Sequence, residues 1–578
     1  MISMAYRTRV PSMALSVGVA LAATAAPLAP PEARKARVDP IVVSVHPFVG
    51  RRGTTFVTTV RGNGLQGTTS IFAPNAPLTA TIVGIDPEPL AQPEPPAETR
   101  GKRKAPFDLV RLRVAVARDA RPGRYPLRLV TAQGTTNPVP LYVTEYPVIR
   151  EPDGSHETAD TAITVTTPPA VFTGRLARRG ETDYYAVEAK AGEVLTFEAV
   201  GAAGGNAQGF DPSLSIFEPS GSWFDPKRLN RIAWNDEPVW VTGGATDAAL
   251  VYRFARTGRY FVRIEAFSGR GGPDYSYELR ILPGEAARPA AQPADGWDER
   301  SYSRSLSAGR LNELAARGGR PENQKPIDTY RAGTFDLPGI VEGTLARPGE
   351  TQRARFRLDA PTDIAIEVET PAAAPPLFNP VVRLLDPAGS EAATNLLAGR
   401  SLCTGALTKS LEVKTIIPLR DTGEYRLEIR DMTSEVAGAD FRYRILVRPQ
   451  IPHVGNVRID EDRINLAPGE AKTVRVAFDR EEDFRGAIAV SAESLPHGVE
   501  ALAGADYEPE PDRPPSTGRR ERYTPRTERV VVVFNASKDA APTETPFVVR
   551  LAVRSVVDGR PGAVLTTREI PLMVIGEP

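Results

Sequence analysis

FTGRLARRGETDYYAVEAKAGEVLTFEAV, residues 172–200, returns in altered form as VEGTLARPGETQRARFRLDAPTDIAIEVE at 341–369. Gly174, Leu176, Ala177, Arg178, Gly180, Glu181 and Thr182 align with Gly343, Leu345, Ala346, Arg347, Gly349, Glu350 and Thr351. Two further pairs follow in the same order: FDPSLSIFEPSGS (210–222) with FNPVVRLLDPAGS (378–390), and TGRYFVRIEAF (257–267) with TGEYRLEIRDM (422–432). Each copy closes on one more strand-like stretch, Tyr275–Leu282 and Phe441–Val447. Blocks that recur in one order at one spacing mark an internal duplication. Within the second copy Tyr425, Leu427 and Ile429 alternate with Arg426, Glu428 and Arg430. A period of two predicts antiparallel strands with one face buried and one in water. Asp-Pro, Asn-Pro, Pro-Ser-Gly and Pro-Ala-Gly supply the turns between them. Each copy therefore reads as a β-sandwich of roughly 120 residues, the usual size of a domain.

The flanks carry the same punctuation. Val110, Leu112, Val114 and Val116 alternate with Arg111, Arg113 and Ala115 in the first block, and the last block holds Thr473–Phe478, Val530–Asn535 and Phe547–Val553. The expected architecture is all-β, a tandem array of four antiparallel β-sandwiches, immunoglobulin-like and jelly-roll-like. Its expected bounds are 40–146, 155–284, 326–449 and 451–578. Residues 285–325 read as a linker with one short helix at Ser305–Ala316, Pro87–Pro106 as an insertion too rich in Pro and charge to build core, and Glu508–Arg526 as a second, Pro/Arg-rich mobile insertion. Composition agrees: 48 Gly and 55 Pro among 578 residues are half as many again as an average usage of roughly 12%. Both residues interrupt long helices.

Charge and thiol content exclude some classes of function. Lys and Arg number 71 against 71 Asp and Glu, so the basic excess of a nucleic-acid binder is missing. Cys403 is the single cysteine, which rules out a disulfide within the chain. At the N-terminus Arg7 and Arg9 precede an apolar, Ala-rich run, Val10–Ala26, and then Pro27–Pro31. This predicts a secretory signal peptide at 1–26 and a linker at 27–39, with an uncleaved N-terminal anchor as the alternative. No later segment reaches the ~20 apolar residues of a membrane span. The expected location is extracellular, periplasmic or on the cell surface.

Gly180-Glu181-x-Asp183-x-Tyr185, the Asp-Pro strand, Asn235-Asp236, Gly-x-Tyr and the closing Tyr-containing strand together resemble the bacterial pre-peptidase C-terminal (PPC) domain. The resemblance covers 160–284 and, less fully, 330–449. The second copy has Gln352 and Ala354 where the first has Asp183 and Tyr185, and no clear counterpart of Asn235-Asp236. The resemblance implies a jelly-roll-like sandwich of a kind found in secreted proteins, often beside proteases, and similar to collagen- and carbohydrate-binding modules. It does not itself imply catalysis. Gly53–Val60 followed by Gly62-Asn63-Gly64 resembles an IPT/TIG immunoglobulin-like domain. Leu466-Ala467-Pro468-Gly469-Glu470 with Leu495-Pro496-His497-Gly498-Val499 resembles bacterial immunoglobulin-like accessory domains.

The motifs that could carry chemistry are few. Gly62-Asn63-Gly64-Leu65-Gln66-Gly67 has the spacing of a dinucleotide-binding loop, but strand-forming residues follow where a helix is required, so a glycine-rich hairpin turn is expected. No zinc-protease, P-loop or nucleophile-elbow motif occurs, and the expected protein is not an enzyme. Trp223, Trp234 and Trp240 cluster in one stretch; aromatic faces of this kind stack on sugars or fill protein interfaces, or else plug one end of a sandwich. Asp211, Asn235, Asp236 and Glu237 offer hard oxygen ligands suited to calcium if they converge, or else are solvated turn residues. The expected function is binding or adhesion at or outside the cell envelope, with a polysaccharide or an extracellular or envelope protein as ligand. The alternatives are an accessory subunit or inhibitor of a secreted peptidase, or a structural envelope protein.

Overall fold

Period-two alternation becomes paired sheets throughout the chain. The computed structural model describes residues 38–576 except 75, 89–106, 202–209, 221–227, 237–247, 285–327, 332, 371–378, 401–406, 413, 433–436, 440, 507–522, 524 and 558–559. Signal peptide, linker helix, most of both insertions and Cys403 thus lie outside the described residues. No α-helix occurs among those described, only a 3-10 turn at Ala159–Thr161. No helix among them is long and apolar enough to cross a membrane.

The first sandwich faces a sheet ordered Ile41–His46, Thr55–Asn63, Asp108–Val116, Leu78–Pro87 against one ordered Val49–Arg51, Val139–Thr144, Gly123–Thr131, Thr68–Phe72. Val110, Leu112, Val114 and Val116 point into its core, as their alternation predicts. The glycine-rich Gly62–Gly67 is not a hairpin: the strands on either side belong to opposite sheets. It is a corner, turned with Gly64 at φ +71° and closed by Asp108, whose carboxylate accepts the Leu65 amide at 2.8 Å.

The two repeat copies share one topology. In the first, Val148–Arg150, Ala170–Arg175, Ser276–Pro283, Val194–Gly201 and Ala248–Arg253 form one sheet in that order. In the second, Asp328–Arg331, Gly339–Thr344, Arg442–Pro449, Thr362–Glu369 and Lys414–Leu419 repeat it. The facing sheets differ at one edge. The first copy has Ile163–Val165, Thr182–Ala189, Gly258–Ala266, Pro212–Pro219 and Leu229–Asn235; the second has Thr351–Leu358, Gly423–Asp431, Pro380–Leu385 and Glu391–Thr394. Where Ile163–Val165 runs parallel to Thr182–Ala189, the second copy keeps a single bridge, Thr334 to Arg355. The fourth sandwich faces His453–Ile459, Ala471–Glu481, Arg526–Ala536 and Val499–Leu502 against a sheet containing Ile464–Leu466, Ile570–Val574, Phe547–Val557 and Ala487–Glu493.

Asp39–Pro578 form one compact unit, and polar side chains stitch its sandwiches together. Asp274 of the first repeat copy accepts from Ser44 Oγ at 2.5 Å and from Arg61 Nη1 at 2.9 and 3.0 Å. The last sandwich reaches back to the first: Asn465 pairs with the Thr135 backbone like a strand residue, accepting its N–H at 2.9 Å and donating to its carbonyl at 3.0 Å. Gly134 makes the approach possible, since a Cβ there would lie 2.3 Å from Asn465 Cγ. Val130, Met573 and Ile575 form an apolar cluster at this junction.

The junction of the second repeat copy with the last sandwich is ionic and fully buried. Arg448 grips Glu482 with both Nη atoms, at 2.7 and 2.6 Å, and reaches Glu367 at 2.5 Å. Lys414 pairs with Glu481 at 3.0 Å and with Glu482. Tyr523 donates from its hydroxyl to Glu481 at 2.7 Å, and its amide donates to Glu412 at 3.0 Å. The Pro/Arg-rich insertion 508–526 thus brings Tyr523, among its described residues, into this network.

Candidate functional site

The sites predicted from sequence are only partly described. Trp223, Trp240 and Glu237 lie outside the described residues. Trp234 stands on the edge strand Leu229–Asn235, opposite Ser215, 44% exposed, with the Arg231 guanidinium 5.9 Å from its ring. Asn235 pairs across from Leu214 and accepts the Ala249 amide at 3.3 Å, and Asp211 accepts the Phe267 amide on its carbonyl at 2.8 Å. Among the described residues no group of three or more His, Cys, Asp and Glu is placed to hold a metal. Asn235 does have a counterpart that the sequence concealed. Asn395 accepts the Val382 amide at 2.8 Å and donates to Pro380 O at 3.0 Å, on the strand edge equivalent to that of Leu214.

Sequence alignment of the copies leads to a different place. In the first copy Asp183, Tyr185 and Tyr277 form a buried chain: Tyr277 donates to Asp183 at 2.6 Å, and the two tyrosine hydroxyls lie 2.8 Å apart. A segment from Glu151 to Ala162 covers it. Glu151 accepts the Arg175 amide at 3.1 Å beside Gly174, and the His156 carbonyl accepts the Tyr184 amide at 2.8 Å. Ala159 and Ala162 pack on the outward-facing Ala186, Phe217 and Phe261. Gly174 is required here, because a Cβ would meet the Tyr277 hydroxyl at 2.3 Å and Glu151 Oε2 at 2.7 Å.

Electrostatics follow from this crowding. Burial, and then the nearby Glu151 carboxylate, push Asp183 up to about 7. Burial likewise raises Glu151. His156 faces the Pro152 carbonyl with Nε2 at 2.9 Å and the Thr161 carbonyl with Nδ1 at 3.0 Å. Only the imidazolium can donate to both; burial opposes the charge, but the two carbonyls outweigh it and raise the pKa.

The second copy builds the same framework and, among the described residues, leaves it uncovered. Tyr443 donates to Gln352 at 2.6 Å, Gln352 donates to Thr344 O at 2.7 Å, and a Cβ on Gly343 would meet the Tyr443 hydroxyl at 2.3 Å. Between Arg150 and Thr164 the first copy has thirteen residues, whereas between their counterparts Arg331 and Thr334 the second has two. A cavity of about 610 Å³ lies against Gly343, Thr344, Gln352 and Tyr443, rimmed by Arg331, Arg353 and Arg442. Sequence reading recorded the change from Asp183 to Gln352 but missed the cavity. Its signal was the shortened stretch ahead of the second copy.

No family model matches the chain, and no curated protein does. Among solved structures it is similar to the pre-peptidase C-terminal domain of a collagenase from Bacillus anthracis, at 13% identity over 24% of this chain and 95% of that one, with a TM-score of 0.15. Domains 4 and 5 of the S-layer protein SbsC match at 11% identity over 42% of this chain and 100% of theirs, TM-score 0.14. The D0–D1 domain of intimin matches at 8% identity over 40% and 96%, TM-score 0.14. Likeness of this degree carries no argument about function.

Proposed function

We propose that the chain is an exported, non-enzymatic binding protein acting at or outside the bacterial cell envelope, with two PPC-like modules between immunoglobulin-like ones. Its ligands are polysaccharide or protein, taken on outward sandwich surfaces. The observation that carries this reading is where the charged and aromatic groups are spent. The buried ionic groups Arg448, Glu482, Glu367 and Lys414 bond to one another across a junction, whereas the aromatic Trp234 is turned outward. Desolvated ion pairs that satisfy each other rigidify a junction; an exposed aromatic on a rigid strand is a ready contact for a ligand.

The test is binding of the full chain to a panel of polysaccharides and to isolated envelope, wild type against Trp234→Ala. Saturable binding weakened on the order of tenfold by the substitution is expected. Binding unchanged by Trp234→Ala would remove that face from the proposal. Turnover of a peptide or glycan by the purified chain would overturn the non-enzymatic reading.

A further inference from the structure

The first copy shows what its framework receives, because its own chain supplies the occupant. Glu151–Ala162 reads EPDGSHETADTA and carries four carboxylates, Glu151, Asp153, Glu157 and Asp160. It touches the core through the Arg175 amide, Gly174 and the Tyr184 amide. The equivalent residues of the second copy, Thr344, Gly343 and Arg353, line the open cavity. The equivalences follow from matched register: Gly174 pairs with Tyr277 and Gly343 with Tyr443, while Asp183 pairs with Ile264 and Gln352 with Ile429.

Thr344 stands where the first copy has Arg175 and Glu342 where it has Thr173, but other substitutions move the second copy toward an acidic ligand. Arg353 and Arg442 replace Tyr184 and Ser276, and Arg331 matches Arg150. Arg353 keeps Glu428 at 3.1 Å on its Nε, and Glu342 on the rim is already held by Arg444 at 2.7 Å. Gln352 replaces Asp183, removing the carboxylate that would repel an incoming one. On the outer face, Ala186 and Phe261, which the Glu151–Ala162 segment covers, become Arg355 and Arg426. That surface no longer needs an apolar cover; Arg355 pairs there with Glu424 at 3.6 Å.

We propose that the cavity at Gly343, Thr344, Gln352 and Tyr443 receives an acidic peptide segment of a partner protein, in the place Glu151–Ala162 fills in the first copy, with Arg331, Arg353 and Arg442 meeting its carboxylates. The inference rests on the reading of the chain as a binding protein and names a class of partner for it. A carboxylate seated against backbone amides and flanked by guanidinium groups gains charge-assisted hydrogen bonds on both sides. An extended peptide continuing the short edge strand Asp328–Arg331 would add main-chain bonds to the neighbouring strand Gly339–Thr344, as the Glu151 amide donates to the Thr173 carbonyl at 2.9 Å in the first copy.

The test uses the full chain and a fluorescein-labelled peptide of sequence EPDGSHETAD, followed by anisotropy. Saturable binding is expected, weakening with salt and at least about tenfold weaker for Arg331→Ala/Arg442→Ala. Arg331→Ala alone, at an exposed position, serves if the double variant melts abnormally. A peptide with its four carboxylates replaced by amides should not bind. The proposal falls if the acidic peptide does not saturate, if the amide peptide binds equally well, or if the arginine variants bind as tightly as wild type. The last result would mean exchange into the first copy. Because the probe is defined and Trp234 lies on the other copy, failure here leaves the polysaccharide and envelope assays of Trp234→Ala standing, and the reverse holds too.

Discussion

His156 holds its proton through two carbonyl acceptors, and Asp183 holds its own through burial and the charge of Glu151. Both groups have pKa values raised above the unfolded ones, so both contribute stability that is present at acid pH and lost as pH rises. For Asp183 the window runs from its unfolded value, ~3.9, up to about 7. Asp183→Asn keeps a partner for Tyr277 without a titrating carboxyl. The expected result is that the variant's stability relative to wild type grows between pH 4 and pH 8 in urea titrations; a constant difference across that range would contradict it. By NMR the His156 imidazole should titrate above its unperturbed ~6.5, and a lower value would remove the doubly donating imidazolium. Sequence comparison could find Asp183 and Tyr185, because Gln352 and Ala354 stand in their places. It could not find Glu151 or His156, whose covering segment leads into a strand that enters parallel and is nearly absent from the second copy. Asn395 was hidden for a similar reason: its bond to Val382 is defined by register across a hairpin, not by a neighbouring Asp.

Strands were legible where one face is buried and one wet. Tyr425, Leu427 and Ile429 alternate with charge in the sequence and are buried in the fold. The junctions between sandwiches were not, because charged residues on sheets read as solvated until a second sheet edge covers them. Arg448 and Lys414 are such residues, and both are buried together with Glu482 in the turn that follows Ala471–Glu481. Arg448→Ala leaves Glu367 and Glu482 buried without their cation and should cost about 3–5 kcal/mol, read by denaturant unfolding; a loss below ~1 kcal/mol would mean that water reaches the junction. Glu482 is held below the usual carboxylate range: burial opposes this, and its bonds to Arg448 outweigh the burial. Its contribution is present above the unfolded pKa and is lost as pH falls. At the opposite junction Gly134, at φ +115°, would place a Cβ 2.3 Å from Asn465 Cγ. Gly134→Ala should therefore cost more than about 1 kcal/mol, and an unchanged melting curve would show that the Thr135–Asn465 pairing does not persist in solution.

At the scale of the whole molecule the balanced charge of 71 against 71 conceals an uneven placement. A few of its pairs, among them Arg61–Asp274, Lys414–Glu481 and Arg448–Glu482, bridge sandwiches, while Arg331, Arg353 and Arg442 gather on the rim of the second copy's cavity. Among the described residues, the duplication holds one framework with its acidic cover and one without. A string of separate modules would leave each junction exchanging with water; the network at Arg448 predicts instead that the second repeat copy and the last sandwich unfold together. Whether this body works by binding is read by co-sedimentation of the full chain with purified envelope. Wild type should sediment saturably, with binding reduced on the order of tenfold by Trp234→Ala or by Arg331→Ala/Arg442→Ala. Wild type remaining in the supernatant at every envelope concentration, or sedimenting equally with all the variants, would contradict it.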